Sequence, residues 1–525
     1  MKNSHKPLKK SLLFLIPLFA VSCSDDIELN SENFRKDNEE EFSINFQQKS
    51  TIDVGNQAAA EITAFDSETN KLFIVNNDIV LGIREISVYN ISDINTPIKE
   101  PSIDLSALGG ANSVSVKKGK LAIAVEAPIK QNPGTVLVYD TKTQLLENTF
   151  TVGALPDMVT FTPDGKKIVV ANEGEPNDDF SFDPEGSISI IDLEKNSVVT
   201  LDFHAFNNQE TALEAKGFRV FSPNANLSRD VEPEYVAVSK NSKTAWVALQ
   251  ENNGLAEVDL ENKRIVAIYP LGFKDYSLPG NEIDASDKDN QKRLKHWDVP
   301  VYGMYQPDGI KYMKINGKGY IFSANEGDSR DYTGFSEEAR VADLTLNPSI
   351  FPAQGDYQNN VNLGRLKVTN ALKSPKNKEN NALYSFGARS FSVWSTKGAL
   401  LYDSGNDIGL KTLELTPNVF NGNDKRSDDK GAEPETVDAM KLCDDKYVLF
   451  VGLERDDEVL VYDISNPISP QFVQILSHPG DSAPEGLLAI SRKDSPTKKP
   501  LLVVSNEGSG TVTIYENKMA TCDDD

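Results

Sequence analysis

A chain of 525 residues with a formal charge of -25, from 79 acidic and 54 basic side chains, is a poor partner for nucleic acid, whose phosphates would meet a field of their own sign. Soluble cations, and basic or calcium-bridged surfaces, are the counterparts such a field favours. Three cysteines are too few for a disulfide scaffold or a zinc module, and the four histidines, His5, His204, His296 and His478, are too scattered for a metal motif.

The amino terminus reads as an export signal over residues 1–22. Lys2, Lys6, Lys9 and Lys10 precede an apolar run of ten residues, Leu12 to Val21, about half of the roughly 20 that a spanning helix needs. Ala20-Val21-Ser22-Cys23 resembles the bacterial lipobox, which makes Cys23 the expected lipidation site; plain signal cleavage beside an incidental cysteine is the alternative. Residues 23–41 are too charged to bury a core and read as an acidic, disordered tether. That tether resembles the acidic export tag of Bacteroidetes surface lipoproteins. The expectation is an outer-membrane lipoprotein exposed at the cell surface, with a periplasm-facing location as second choice and membrane contact only through the lipid.

From residue 42 to residue 517 one pattern recurs. A small polar signature opens a short apolar run at Ala60-Glu61, Ala111-Asn112, Pro156-Asp157, Pro233-Glu234, Pro307-Asp308, Pro434-Glu435 and Pro484-Glu485. A second run then closes at Asn76-Asn77, Val125-Glu126, Asn172-Glu173-Gly174, Gln250-Glu251, Asn325-Glu326-Gly327, Leu453-Glu454 and Asn506-Glu507-Gly508. Repeats of roughly 40–50 residues with three or four alternating strands each are the mark of propeller blades. The pattern predicts an all-β fold, a single seven-bladed β-propeller of WD40 or YVTN-like kind with long loop insertions. Blade three shows the plan: Met158 to Thr162, the turn Pro163-Asp164-Gly165, Lys167 to Ala171, then Ser187 to Leu193. The last blade lacks its outermost strand after Tyr515, and Phe42 to Gln48 alternates like a fourth strand, so an N-terminal strand is expected to close that blade and remove its exposed edge. Residues 518–525 form a short tail. Cys443 and Cys522 fall at the same end of adjacent blades, where they either pair or stay as free thiols.

The start of each first strand and the end of each second strand share one end of an antiparallel sheet, so the repeated acids should converge on one rim. Glu173, Glu234, Asp308, Glu326, Glu435, Glu454, Glu485 and Glu507 are the expected ligand-binding rim. Carboxylates about 4 Å apart repel by roughly 4 kcal/mol at an effective dielectric of 20, so protons, basic side chains or a metal must neutralise them. Repetition is equally what packing predicts, with the acids accepting hydrogen bonds from turn amides. Arg229, Arg330, Arg389 and Arg455 stand beside the motifs as basic candidates. Oxygen donors without cysteine or clustered histidine suit calcium, for which Glu173, Asp308, Glu326 and Glu435 are the expected ligands. Insertions at Glu175 to Arg229 and Asp328 to Arg389 leave from the same rim and should cover it; others run from Lys274 to Tyr305 and from Asn421 to Gly431. Gly480-Asp481-Ser482-Ala483 resembles the nucleophile turn of alkaline phosphatases, but three residues are a weak match, and no Gly-x-Ser-x-Gly, His-Glu-x-x-His or phosphate-binding glycine loop occurs.

Taken together, ANEGEPND, SRDVEPEYVAV, PVYGMYQPDGI, SANEGDSRDY, SFGARSFSVW, LYDSGNDI, KGAEPETV, APEGLLAI and SNEGSGTVTIYE resemble the choice-of-anchor I family, which also takes in mesenchyme-specific cell-surface glycoproteins and bacterial proteins labelled alkaline phosphatase. The resemblance runs from about Ile52 to Tyr515. It implies an extracytoplasmic propeller whose anchor varies between members, here Cys23, and an association with calcium and phosphate that assigns no catalytic residue. The leading expectation is a monomeric surface lipoprotein that binds a small anionic or polar ligand, or a surface protein or glycan, through a calcium-binding acidic rim. The alternative is a calcium-dependent phosphoesterase, alkaline-phosphatase-like or phytase-like, with Arg330 or Arg389 neutralising developing charge and His296 as a further catalytic candidate.

Overall fold

A computed structural model describes residues 43–223, 225–372, 379–443 and 445–518, all within the unit Phe42–Asp525. The signal segment, Cys23, the acidic tether and Cys522 lie outside the described residues.

The architecture is all-β and propeller-like. The described residues hold 33 strands, arranged as seven four-stranded antiparallel sheets, one of three strands and one of two, with only short helices between them. The seven sheets follow one another in sequence. Their first strands are Thr63–Asp66, Ala111–Lys117, Pro156–Phe161, Val236–Val238, Ile310–Ile315, Pro434–Cys443 and Pro484–Ile490. Each packs against the first strand of the next sheet, and Pro484–Ile490 packs against Thr63–Asp66. In the seventh sheet the outermost strand is Phe46–Asp53, paired antiparallel with Thr511–Asn517. It lies later than the Phe42 to Gln48 expected from alternation, because a bulge between Gln48 and Ser50 resets the register and carries pairing on to Asp53.

Burial changes strand by strand, and the sequence shows why. Second strands such as Lys71–Asn76, Lys120–Val125, Lys167–Asn172 and Thr244–Leu249 are buried at every residue after the first, because neighbouring sheets cover both faces. Their near-continuous Leu, Ile, Val and Ala runs answer that environment. Outer strands such as Ile98–Asp104 are mostly exposed and carry charge, which protects a free edge from pairing. The apolar core is accordingly layered, one cluster between each consecutive pair of sheets. Ile52, Leu72, Ile74, Ile490, Val503 and Ile514 form the layer between the seventh sheet and the first.

The insertions are not simple loops. The stretch from Glu175 to Arg229 contains the third and fourth strands of the third sheet, Ser187–Asp192 and Ser197–Leu201, so the expected insertion resolves into a loop before Ser187 and a helical segment after Leu201. The stretches from Lys274 to Tyr305 and from Asp328 to Arg389 fold together around a core of their own, built on Tyr276, Trp297, Val301, Val341, Leu363 and Leu383. A parallel pairing of Val301–Met304 with Leu383–Ser385 ties the two. Residues 175–183 and 328–337 meet: Gly334 N donates to the Asp178 carbonyl at 2.9 Å, and Phe180 packs edge-on against Tyr332 and Phe335.

Candidate functional site

The first strands of all seven sheets line one cavity of about 480 Å³. Asp157, Glu173, Glu234, Asp308, Glu435 and Glu485 face it at one end, as the strand-end argument requires.

Local backbone geometry aims these acids. The ladder skips a residue after Ala111, Pro156 and Pro484, leaving Asn112, Asp157 and Glu485 on β-bulges, and skips the pair Glu435-Thr436 after Pro434. A bulge bends the strand and redirects the side chain of its unpaired residue. The residues before the opening prolines, Leu155, Gln306, Glu433 and Ala483, take left-handed φ values of 46°, 39°, 52° and 55°. A residue before proline normally prefers extended backbone, so a costly conformation recurs beside the acids in four sheets.

Each letter of the closing Asn-Glu-Gly has its own task. Asn172 donates to the Ser189 hydroxyl at 3.0 Å and Asn325 to that of Ser392 at 2.7 Å, tying the second strand to the third. Gly327 (φ 91°) lies so near Gly387 that an added Cβ would come within 2.0 Å of the Gly387 nitrogen. The glutamate between them belongs to the cavity end.

Burial and mutual repulsion set the protonation of that end. Burial first, then neighbouring acids, push Glu61 up to about 8, while Asn77 pulls against the rise by donating to it at 3.0 Å. Burial and the carboxylates around it lift Asp157 to about 7. Glu251 rises to about 7 by burial against the opposing pull of Arg330, and Glu326 to about 8 by burial against that of Lys430. Glu173, Glu234, Glu435 and Glu485 are likewise raised well above the ordinary carboxylate value, by burial and then by adjacent carboxylates. Asp308 is raised by burial against the pull of Lys430, and its carboxyl is among those that raise Glu435.

Three groups of acids bring one oxygen from each member within 4.8 Å of the others: Glu173, Glu234 and Glu251; Asp308, Glu326 and Glu435; and Glu326, Glu433 and Glu454. Three of the four calcium ligands expected from the sequence thus fall in one group, and Glu173 falls in another. Glu454 pairs with Arg455 at 2.7 Å, and Glu507 raises the carboxyls of both Glu61 and Glu485.

Three of the four arginine candidates are placed differently from expectation, while Arg455 stands beside Glu454 and Glu433. Arg330 is 2% exposed, ion-paired with Asp230 at 2.8 Å and Glu232 at 2.7 Å, and outside the cavity lining. Arg389 spends its guanidinium on the backbone carbonyls of Asp284, Ser427 and Asp429, and Arg229 reaches the carbonyl of Asp183. His296 is exposed and also off the lining. His478 sits 3.6 Å from Asp481, whose oxygens accept from Thr511 at 2.8 Å and Thr513 at 2.6 Å, so the Gly-Asp-Ser turn is committed to strand contacts. Cys443, the last residue of the sixth sheet's first strand, is disulfide-bonded. A lysine also meets the acids: Lys430 pairs with Glu326 and lies 3.5 Å from Glu433 and 3.6 Å from Asp328. Its sequence signal was slight, a lysine closing a mixed-charge loop.

Among known proteins, Gigasin-3a of Magallana gigas is 28% identical over an alignment of 187 residues that covers 30% of this chain and 66% of that protein, just under two thirds of its length. In structure, a chain of Kuenenia stuttgartiensis hydrazine synthase aligns with a TM-score of 0.46 at 12% identity, covering 89% of this chain and 97% of that one. The WD40 domain of Toxoplasma gondii coronin aligns with a TM-score of 0.44 at 8% identity, covering 92% and 90%. The model of the choice-of-anchor I domain matches residues 61–467, well over half of the sequence, and the chain belongs to that family.

Proposed function

We propose that the seven sheets are the blades of one closed propeller, held at the cell surface by a lipid on Cys23, and that its acidic cavity binds calcium and, through it, an anionic or polar ligand or a partner surface. The supporting observation is the convergence of carboxyls on one cavity, where Glu234 and, beside it, Glu251 each bury one oxygen that has no hydrogen-bond partner among the described residues. A donor set made only of carboxylate oxygens fits calcium or magnesium and suits zinc or copper poorly. No helix among the described residues is long and apolar enough to cross a membrane, which agrees with attachment by an anchor.

Calcium titration followed by thermal melting tests this. A ligand at a hundred times its Kd stabilises by about 2.7 kcal/mol, so the melting temperature should climb by a few degrees in millimolar calcium. No shift would count against the reading. The phosphoesterase alternative keeps calcium but loses its cations for developing charge, since Arg330 and Arg389 are engaged elsewhere. Turnover of a nitrophenyl phosphate in calcium would revive it.

A further inference from the structure

The acids at the cavity end are not equivalent. Around Glu326, Glu433 and Glu454 stand three cations. Lys430 pairs with Glu326, Arg455 reaches Glu433 at 3.2 Å and Glu454 at 2.7 Å, and Arg426 reaches Glu433 at 2.6 Å. Beside them, Asp308 and Glu435 each bring a carboxylate oxygen within 4.8 Å of Glu326. This half of the cavity end carries its own positive charge.

The other half has no such ion pairs. Among the described residues no lysine or arginine forms an ion pair with Glu173, Glu234 or Glu251. Two guanidiniums stand near without pairing with these acids: Arg219 donates to the Glu251 backbone carbonyl at 2.8 Å and pairs with Glu337, and Arg330 is spent on Asp230 and Glu232. Glu234 is 9% and Glu251 4% exposed, and one oxygen of each has no hydrogen-bond partner among the described residues, a costly state for a buried polar atom. Oxygens on a calcium shell of about 2.3–2.6 Å radius lie at most about 5 Å apart, so three oxygens within 4.8 Å of one another fit one coordination sphere.

Resting on the cation-binding reading above, the geometry points to one calcium-class divalent cation held by Glu173, Glu234 and Glu251, while Lys430 serves as the internal counter-ion of Asp308, Glu326 and Glu435. The ligand set expected from sequence is thereby divided, with Glu173 on the metal side and the other three on the lysine side. Glu234 and Glu251 are the further ligands.

The test is calorimetric titration of chelator-stripped protein with calcium chloride alone. One site is expected, and Glu234→Gln and Glu251→Gln should each weaken it at least tenfold while keeping the wild-type circular dichroism. Lys430→Gln should raise the stoichiometry from one to two, because it frees the second group of acids. Wild-type affinity in both glutamine variants would overturn the assignment. Loss confined to Glu435→Gln would also overturn it but leave a calcium-binding cavity standing. No calcium binding by the wild type, with no melting shift, would overturn the assignment and the functional reading together.

Discussion

Lys430 ion-pairs with Glu326 across 104 residues of sequence, joining the segment before the sixth sheet to the end of the fifth sheet's second strand. Among the described residues Glu326 accepts one other side-chain hydrogen bond, from the Gln250 amide at 2.9 Å, and Lys430 is the one cation that ion-pairs with it. Lys430→Met should destabilise the metal-free protein by about 2–3 kcal/mol at pH 8.5, the order expected when a buried pair loses one charge. At pH 6 the loss should shrink, since burial holds the Glu326 carboxyl up near 8 and it can take a proton instead. Chemical denaturation at the two pH values reads the difference; equal losses would contradict it.

The raised carboxyls also fix the sign of the pH dependence. Glu61 and Glu326 rise from 4.5 to about 8, and Asp157 from 3.8 to about 7. Between these limits the folded state holds protons that the unfolded chain has released, so stability falls as pH rises. Stability from this source is complete below about pH 4 and is lost through pH 7–8. In chelator, the melting temperature should therefore decline from pH 5 to pH 8.5, and calcium should restore the upper end. Glu61→Gln keeps an oxygen for Asn77 and removes a charge, so it should stabilise by about 1–2 kcal/mol at pH 8.5 and flatten the profile. A wild-type profile already flat over this range would count against these shifts.

What the sequence disclosed was whatever is written locally. Proline-acid openings and Asn-Glu-Gly closures are short-range strings, and antiparallel geometry carries them to one end of each sheet, so the acidic cavity end was legible. Charge neutralisation was not. Arg330 and Arg389 lie beside acidic motifs in sequence but are engaged elsewhere, by Asp230 with Glu232 and by the carbonyls of Ser427 and Asp429, partners that no local string announces. Lys430 comes from a loop without periodicity, and nothing in that loop announces Glu326. The core around Trp297 and Val341 draws on two separate insertions, which no local pattern joins. The bulges at Asp157 and Glu485 are equally silent, since the residue they displace is part of the motif.

The glycine ending the fifth sheet's closure offers a backbone test. Gly327 at φ 91° abuts Gly387 at φ 70°, and a Cβ on Gly387 would stand 1.9 Å from the Glu326 carbonyl oxygen. Neither neighbour is a flexible side-chain tip, so the backbone itself would have to move. Gly327→Ala should destabilise by about 3 kcal/mol or more, through the clash together with the left-handed conformation. It should also weaken calcium binding less than Glu234→Gln does, because Gly327 borders the lysine-neutralised side. Wild-type melting of Gly327→Ala would refute the close approach.

Arg330 separates a structural guanidinium from a catalytic one. Its Nε donates to Glu232 at 3.0 Å, its other nitrogens reach Asp230, the Asp230 carbonyl and Ser222, and its plane lies 4.7 Å from the Phe221 ring. Removing it would strand Asp230 and Glu232, both buried, so Arg330→Met should cost about 3–5 kcal/mol. Arg330→Lys should recover only part of that, because an ammonium cannot reproduce the fork that spans both acids and the carbonyl. A catalytic arginine would behave in the opposite way, losing turnover while the fold stays at full stability. Denaturation of both variants, beside an assay of phosphate ester turnover, decides between the two roles. Full stability in Arg330→Met would remove the structural one.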